Sequence, residues 1–66
     1  MSYLTDIEYN KLIKRADRIS KLIALVIEDP NWLKYLGNVH SALVDSRDSV
    51  YTDITELVNK DEESEL

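Results

Sequence analysis

A chain of 66 residues forms one small domain at most, and a domain of this size buries only about 60% of the surface that its unfolded chain exposes. It has no cysteine and one histidine, which excludes a disulfide scaffold, a thiolate zinc site and a cysteine nucleophile. A composition that is 44% hydrophobic and 32% charged, with net charge −5, is too apolar for a disordered chain. We therefore expect a folded protein that relies on association for part of its stability.

The first predicted helix covers residues 6–28. Thr5 and Glu8 have the spacing of a capping box, which marks the start of a helix. Apolar residues then recur at helical spacing and define one stripe, namely Tyr9, Leu12, Ala16, Ile19, Ile23, Val26 and Ile27. The pattern ends at Asp29-Pro30, where Asp29 suits an N-cap and Pro30 suits the first position of a second helix.

The second predicted helix covers residues 30–59, because apolar residues again lie within one arc, namely Trp32, Leu33, Leu36, Val39, Leu43, Val50, Tyr51, Ile54, Leu57 and Val58. Four of them repeat every seven residues: Leu36, Leu43, Val50 and Leu57. The pattern predicts an all-α antiparallel hairpin over residues 1–60 that dimerises into a four-helix bundle. Residues 61–66 are predicted to be an acidic, disordered tail. The structural alternative is a three-helix chain that breaks near Gly37 or Ser46.

An oligomer interface is predicted near the turn. Residues 22–27 are apolar on nearly all sides, and Leu22 and Leu25 point away from the core stripe. The second helix of the hairpin covers only one side of such a segment, and monomers rarely leave so large an apolar patch exposed. A second chain is the simplest cover, with an interface formed by Leu22, Leu25, Val26, Trp32 and Tyr35. The alternative cover is a third segment that folds back within the chain.

Charge is unevenly divided between the two predicted helices. Residues 1–28 carry five basic and four acidic side chains, whereas residues 29–66 carry three basic and nine acidic ones. The five bases lie opposite the apolar stripe, and they are Lys11, Lys14, Arg15, Arg18 and Lys21. They form a solvated face, a strip that binds RNA or DNA phosphates, or a surface that binds an acidic partner protein. In the first case carboxylates such as Asp45 and Asp48 flank them, since a tight turn pairs residue i with about residue 59 − i.

His40 and Arg47 stand in the apolar arc of the second helix, seven residues apart, where stability alone would favour leucine. In one interpretation Arg47 lies at the edge of the stripe and extends its head to water or to a carboxylate such as Glu8 or Asp17. In the sharper hypothesis both side chains face an interface, where they fix register or bind an acidic group of a partner.

Motifs of catalysis are missing from the sequence. It has no glycine-rich phosphate loop, no H-E-x-x-H and no Ser/His/Asp set, so we expect no enzymatic activity, cofactor or metal. The N-terminus lacks a basic region followed by an apolar one. The longest apolar run is six residues, against the ~18 that a membrane span needs. These features predict a cytoplasmic protein without membrane contact.

Two resemblances bear on function. In size, turn position and acidic tail the chain is similar to plasmid copy-number hairpins, which form four-helix bundles and bind paired RNA loops; no motif aligns. The segment Ser41-Ala42-Leu43-Val44-Asp45 followed by Tyr51 looks like a short stretch of hairpin phosphatases that act on sporulation response regulators. Arg47 and Asp48 fall where that family is apolar, and we assign the chain to neither family.

The function that the sequence favours is regulatory or inhibitory protein–protein binding through helix faces of a homodimer. Small acidic helical proteins of bacteria and their phages often act as adaptors or antagonists, an analogy at the level of composition. Nucleic-acid binding through the basic strip is the alternative, and a structural self-assembly element is a further one. The partners expected are therefore a second copy and an unidentified protein.

Overall fold

The computed structural model describes the backbone of residues 3–65 and the side chains of residues 5–61. Within that range the chain forms three helices: α1 (Tyr3–Glu28), α2 (Trp32–Tyr35) and α3 (Gly37–Glu65). The two long helices pack against each other and are antiparallel, because Glu8 shares a groove with Lys60 while Ser20 contacts Arg47. The predicted all-α class is confirmed, and the predicted hairpin describes α1 and α3.

The contact between the long helices is a seam of side chains in alternating steps of three and four residues, the spacing of a coiled coil. All of the seam side chains are half-buried or buried. In α1 they are Thr5, Tyr9, Leu12, Ala16, Ile19, Ile23 and Val26, and on the returning side they are Leu36, His40, Leu43, Arg47, Val50, Ile54, Leu57 and Asp61. Only Ala16, Ile23 and Val50 are buried among the described residues, and each keeps a small exposed fraction. The seam is long and thin.

The connection between the long helices is built on Asp29. Its carboxylate accepts a hydrogen bond from the Asn31 amide at 2.8 Å, and its carbonyl accepts one from the Trp32 amide at 3.1 Å. An aspartate that binds the backbone two residues later stabilises a turn, so Asp29 holds the turn and does not cap a helix directly. The prediction that helix 2 starts at Pro30 was therefore wrong by two residues, since α2 starts at Trp32.

A single residue separates α2 from α3. Leu36 has φ −120° and ψ 11°, outside the α-helical region. The Leu36 amide still donates to Trp32 and the His40 amide to Leu36, so the break is a kink. The prediction of one continuous helix over 30–59 was wrong at this residue, and the alternative of a break near Gly37 is confirmed. No break occurs at Ser46.

The helix ends also differ from the prediction. α1 starts at Tyr3, so Thr5 lies inside the helix and is not an N-cap. α3 continues to Glu65 instead of ending near residue 59. The predicted disorder of the tail at 61–66 concerns mostly side chains outside the described residues and stays a prediction.

The connection also shifts the pairing of the two long helices. Arg47 contacts Ser20, so their numbers sum to 67, not to the value near 59 that a tight turn would give. Residues 29–36 form the connection. Each residue of α1 therefore packs against a residue of α3 that lies about eight positions further along the chain than a tight turn would give. With this shift Asp53 and Glu56 lie in a groove with Arg15. That Asp45 and Asp48 flank bases of α1 stays a prediction.

Candidate interaction surfaces

Two long sides of the hairpin flank the seam. The seam residues of each helix form successive pairs that are three residues apart. In an antiparallel pair of helices, the residues that directly follow the second member of each pair face one another on one side of the seam. The residues that directly precede the first member face one another on the other side. Applied to the observed seam, this rule divides the flanking residues into one apolar set and one mostly charged set. Contacts described below confirm the division for both.

The apolar side, here called the Arg47 face, consists of Arg47 and the flanking residues near it; by the same rule Asp6, which follows Thr5, extends this side towards the open end of the hairpin. The flanking residues of α1 are Ile13, Ser20 and Ile27, and those of α3 are Val44, Tyr51 and Val58. Ile13, Ile27 and Tyr51 are 41%, 48% and 47% exposed, respectively. The hairpin alone therefore leaves a strip of partly exposed apolar side chains along this side.

Arg47 originates in the seam and directs its guanidinium to this face. Its NH1 group donates to the Ser20 hydroxyl at 3.4 Å, and its Cζ lies 5.9 Å from the centre of the Tyr51 ring, the outer range of a cation–π contact. The Nε atom is buried and has no hydrogen-bond partner within the described part of the chain. A half-buried cation is thus held by one long hydrogen bond and one weak ring contact.

This arrangement corrects one interpretation of Arg47. The guanidinium of Arg47 does not extend to Glu8 or Asp17. Asp17 forms an ion pair with Lys21 of the same helix, with 3.1 Å between Nζ and Oδ2, and Glu8 lines the groove on the opposite side of the hairpin. Whether Arg47 binds a partner's acidic group stays a prediction, but its guanidinium does lie where a partner on this face would meet it.

The opposite side, here called the charged groove, runs along the open end of the hairpin. Its lining consists of charged side chains of both helices above two leucines of the seam: Glu8, Leu12, Arg15, Asp53, Glu56, Leu57 and Lys60. Acids and bases alternate across it, so it offers no uniform potential to a charged ligand. All five residues of the predicted basic strip are exposed, but Lys21 is paired with Asp17 and Arg15 faces Asp53 and Glu56 across the groove.

The turn end of the hairpin holds the third surface, here called the turn-end patch. It consists of strongly exposed apolar side chains of all three helices: Leu22, Leu25, Leu33, Tyr35 and Val39. Leu25, Tyr35 and Leu33 are 61%, 69% and 76% exposed. Three of the five predicted interface residues are therefore available at the surface, namely Leu22, Leu25 and Tyr35.

The other two predicted interface residues, Val26 and Trp32, contribute to the hairpin itself. Both are half-buried, and Val26 belongs to the seam. The Trp32 ring lies 4.6 Å from the ring of His40, at 41° to it, which ties the short α2 to α3. His40, predicted to contact a partner, is thus already in contact with an aromatic ring inside the chain.

Sequence reasoning missed the Arg47 face as a unit. Tyr51 was placed in the core arc of the second helix and Ile27 in that of the first, and both are nearly half exposed. The alternating spacing of the seam would have revealed them as flanking residues, since each directly follows a seam residue.

Among the described residues, no group of three side chains could hold a metal ion, and no helix contains an apolar segment long enough to cross a bilayer. No family model, curated protein or solved structure matches the chain.

Proposed function

We propose that the chain is a small, non-catalytic protein–protein interaction module, regulatory or inhibitory in effect, that self-associates through the turn-end patch. One observation supports this most directly. The chain exposes 5188 Å², whereas a compact monomer of 7.7 kDa exposes about 4,300 Å². The excess, roughly 900 Å², is close to the area of about 800 Å² that each partner contributes to a stable interface.

The position of the exposed apolar side chains supports the turn end as the self-association surface. Five of the nine exposed large hydrophobic residues in the described part of the chain belong to the turn-end patch, next to the connection. Apolar surface of this density is uncommon on monomers and marks sites of association. Two hairpins that meet there would bury leucines and a tyrosine that the single hairpin exposes.

Capture from an extract of the native host tests the proposed function. The bait is the tagged chain, washed in parallel at roughly 0.1 M and 1 M salt with and without nuclease, since salt weakens phosphate contacts steeply but not apolar ones. We expect a protein partner in stoichiometric amount that survives high salt and nuclease. Recovery of the chain alone under every condition would contradict a regulatory role and leave self-assembly as its function.

Nucleic-acid binding through α1 is the second candidate, and one observation favours it: five basic side chains are exposed on a single helix. The acidic residues between and opposite them, and the net charge of −5, weaken the field that would attract phosphates. In the same capture experiment this candidate predicts RNA or DNA that is lost at high salt. Salt-stable protein with no nucleic acid would contradict it.

A further inference from the structure

The Arg47 face presents an unusual combination of side chains. Along α1 it extends from Ile13 to Ile27, a helical distance of about 21 Å. Its surface is apolar except for Ser20 and the head of Arg47, which contact each other near its middle. The face is thus a strip of helix-packing surface with one positive charge at its centre.

The charge at the centre is not neutralised by the chain. Arg47 is half-buried, and its Nε has no hydrogen-bond partner among the described residues. The one acid among the described flanking residues of this side, Asp6, lies 14 residues from Ser20 along α1, a helical distance of about 21 Å. A buried cation without an anion is costly, and the same cation with a carboxylate in good geometry is stabilised. An acidic group that arrives with a ligand would therefore neutralise the charge of Arg47 through the outer nitrogens of the guanidinium, whereas Nε is buried beneath the surface.

We propose that the Arg47 face binds an amphipathic helix of another protein whose apolar stripe carries a single carboxylate at its centre. The shape fits, because an apolar helix packs lengthwise into the shallow groove between two helices. The charge fits, because the carboxylate would lie opposite the guanidinium in a site from which the surrounding apolar side chains exclude water. The inference rests on the proposed function and specifies the class of partner that it requires.

A second copy of the chain fits this face less well. A two-fold contact through the face would bring two Arg47 side chains together at its centre, and the face supplies no carboxylate to separate them. Like charges that meet in an apolar interface oppose association. Self-association at the turn-end patch leaves the Arg47 face accessible, so both contacts are compatible in one assembly.

The test uses two synthetic helical peptides of 18 residues, long enough to cover the face at about 27 Å. Both carry leucines at three- and four-residue spacing on a lysine and alanine background. They differ at one central position of the leucine stripe, which is glutamate in the first and glutamine in the second. Binding to the full chain is measured by fluorescence anisotropy, and contacted residues are located by NMR shifts of the chain's amides.

We expect the dissociation constant of the glutamate peptide to be at least about tenfold lower than that of the glutamine peptide, as a charge-assisted contact implies. The NMR shifts should be centred on Ser20, Val44 and Tyr51. In Arg47→Met the difference between the two peptides should disappear, and in Arg47→Lys part of it should remain. Arg15→Met, which removes an exposed arginine from the charged groove, is the matched control and should preserve the full difference.

Several results would overturn the inference: equal affinity of the two peptides for the native chain, an undiminished difference in Arg47→Met, or no binding of either peptide. Rapid formation of a disulfide-linked dimer by Tyr51→Cys would show that a second copy occupies the face. That result would also overturn the inference. Each of these results can be obtained while host extract still yields a salt-stable protein partner, so failure of this inference is distinct from failure of the proposed function.

Discussion

Asp29 is the residue on which the turn depends. Its side chain and its carbonyl each accept a backbone hydrogen bond, from Asn31 and Trp32, and together these bonds reverse the chain between α1 and α2. The sequence identified Asp29-Pro30 as the point of reversal correctly. It could not show whether the aspartate would cap a helix or stabilise a turn. In both roles its carboxylate accepts a hydrogen bond from a backbone amide two or three residues later.

We predict that Asp29→Ala destabilises the chain by about 1 kcal/mol, the net contribution of one hydrogen bond of this kind. Asp29→Asn keeps an oxygen in the accepting position and should cost less than half as much. Urea unfolding followed by circular dichroism measures both. Equal losses for the two variants would assign the effect to the charge of Asp29 and contradict the hydrogen-bond explanation.

Arg47 occupies a seam position that a leucine would fill more favourably. Its buried Nε has no partner within the described chain, and a buried polar group left unsatisfied costs about 1–3 kcal/mol. The sequence predicted the unusual position from spacing alone. The direction of the guanidinium, towards Ser20 and not towards Glu8 or Asp17, depends on the pairing of the helices, which the sequence placed incorrectly.

Arg47→Leu should therefore raise the free energy of unfolding, by about 1 kcal/mol, in the same urea titration. The control is Arg15→Leu, an exposed position on the other side of the hairpin, where the change should be within about 0.5 kcal/mol of zero. A loss of stability in Arg47→Leu that exceeds the loss in the control would mean that the arginine stabilises the isolated chain.

At the scale of the elements, the long helices were predictable and their junction was not. The seven-residue repeat of Leu36, Leu43, Val50 and Leu57 places all four in the seam, as expected from spacing. The kink falls on Leu36, which has no helix-breaking character. The Trp32 ring of α2 contacts His40 across the kink, and such a contact between residues eight apart is not visible in local propensities.

Gly37 shows that a residue at a break need not cause it. Gly37 has no positive φ, and a Cβ added to it would meet nothing within 4 Å. Gly37→Ala should therefore stabilise the chain by about 0.4–1 kcal/mol, because alanine has less freedom to lose on folding. Ala42→Gly, at an exposed position five residues further along α3, should have the opposite sign and similar size. Destabilisation by Gly37→Ala would show that the kink requires glycine, contrary to the observed geometry.

At the scale of the whole molecule, the elongated shape supports the proposal that the chain associates. Its radius of gyration is 15.3 Å and its extents are 51 × 15 × 10 Å, whereas a compact chain of this length has a radius near 11 Å. Two long helices share one line of contact, so most of each helix remains outside it. The sequence predicted this imbalance from length and from the apolar segment 22–27. The Arg47 face was missed, although the three- and four-residue spacing of the seam identifies its flanking residues.

If the turn-end patch is the self-association surface, Leu25→Glu should dissociate the assembly without unfolding the hairpin, since Leu25 is 61% exposed and a charge there would be buried on association. Ile7→Glu is the matched control, because Ile7 is an exposed apolar residue at the far end of α1 and should leave association intact. Size-exclusion chromatography with circular dichroism separates the two effects. Dissociation by Ile7→Glu but not by Leu25→Glu would move the interface to the open end.

We propose that the hairpin needs a second copy of the chain to cover its exposed apolar surface. Light scattering of the native chain after size exclusion at micromolar concentration tests it most directly, because the mass does not depend on molecular shape. The account predicts about twice the monomer mass of 7.7 kDa, with a thermal midpoint that rises with concentration. A mass of one chain, together with cooperative unfolding at a midpoint independent of concentration, would contradict it.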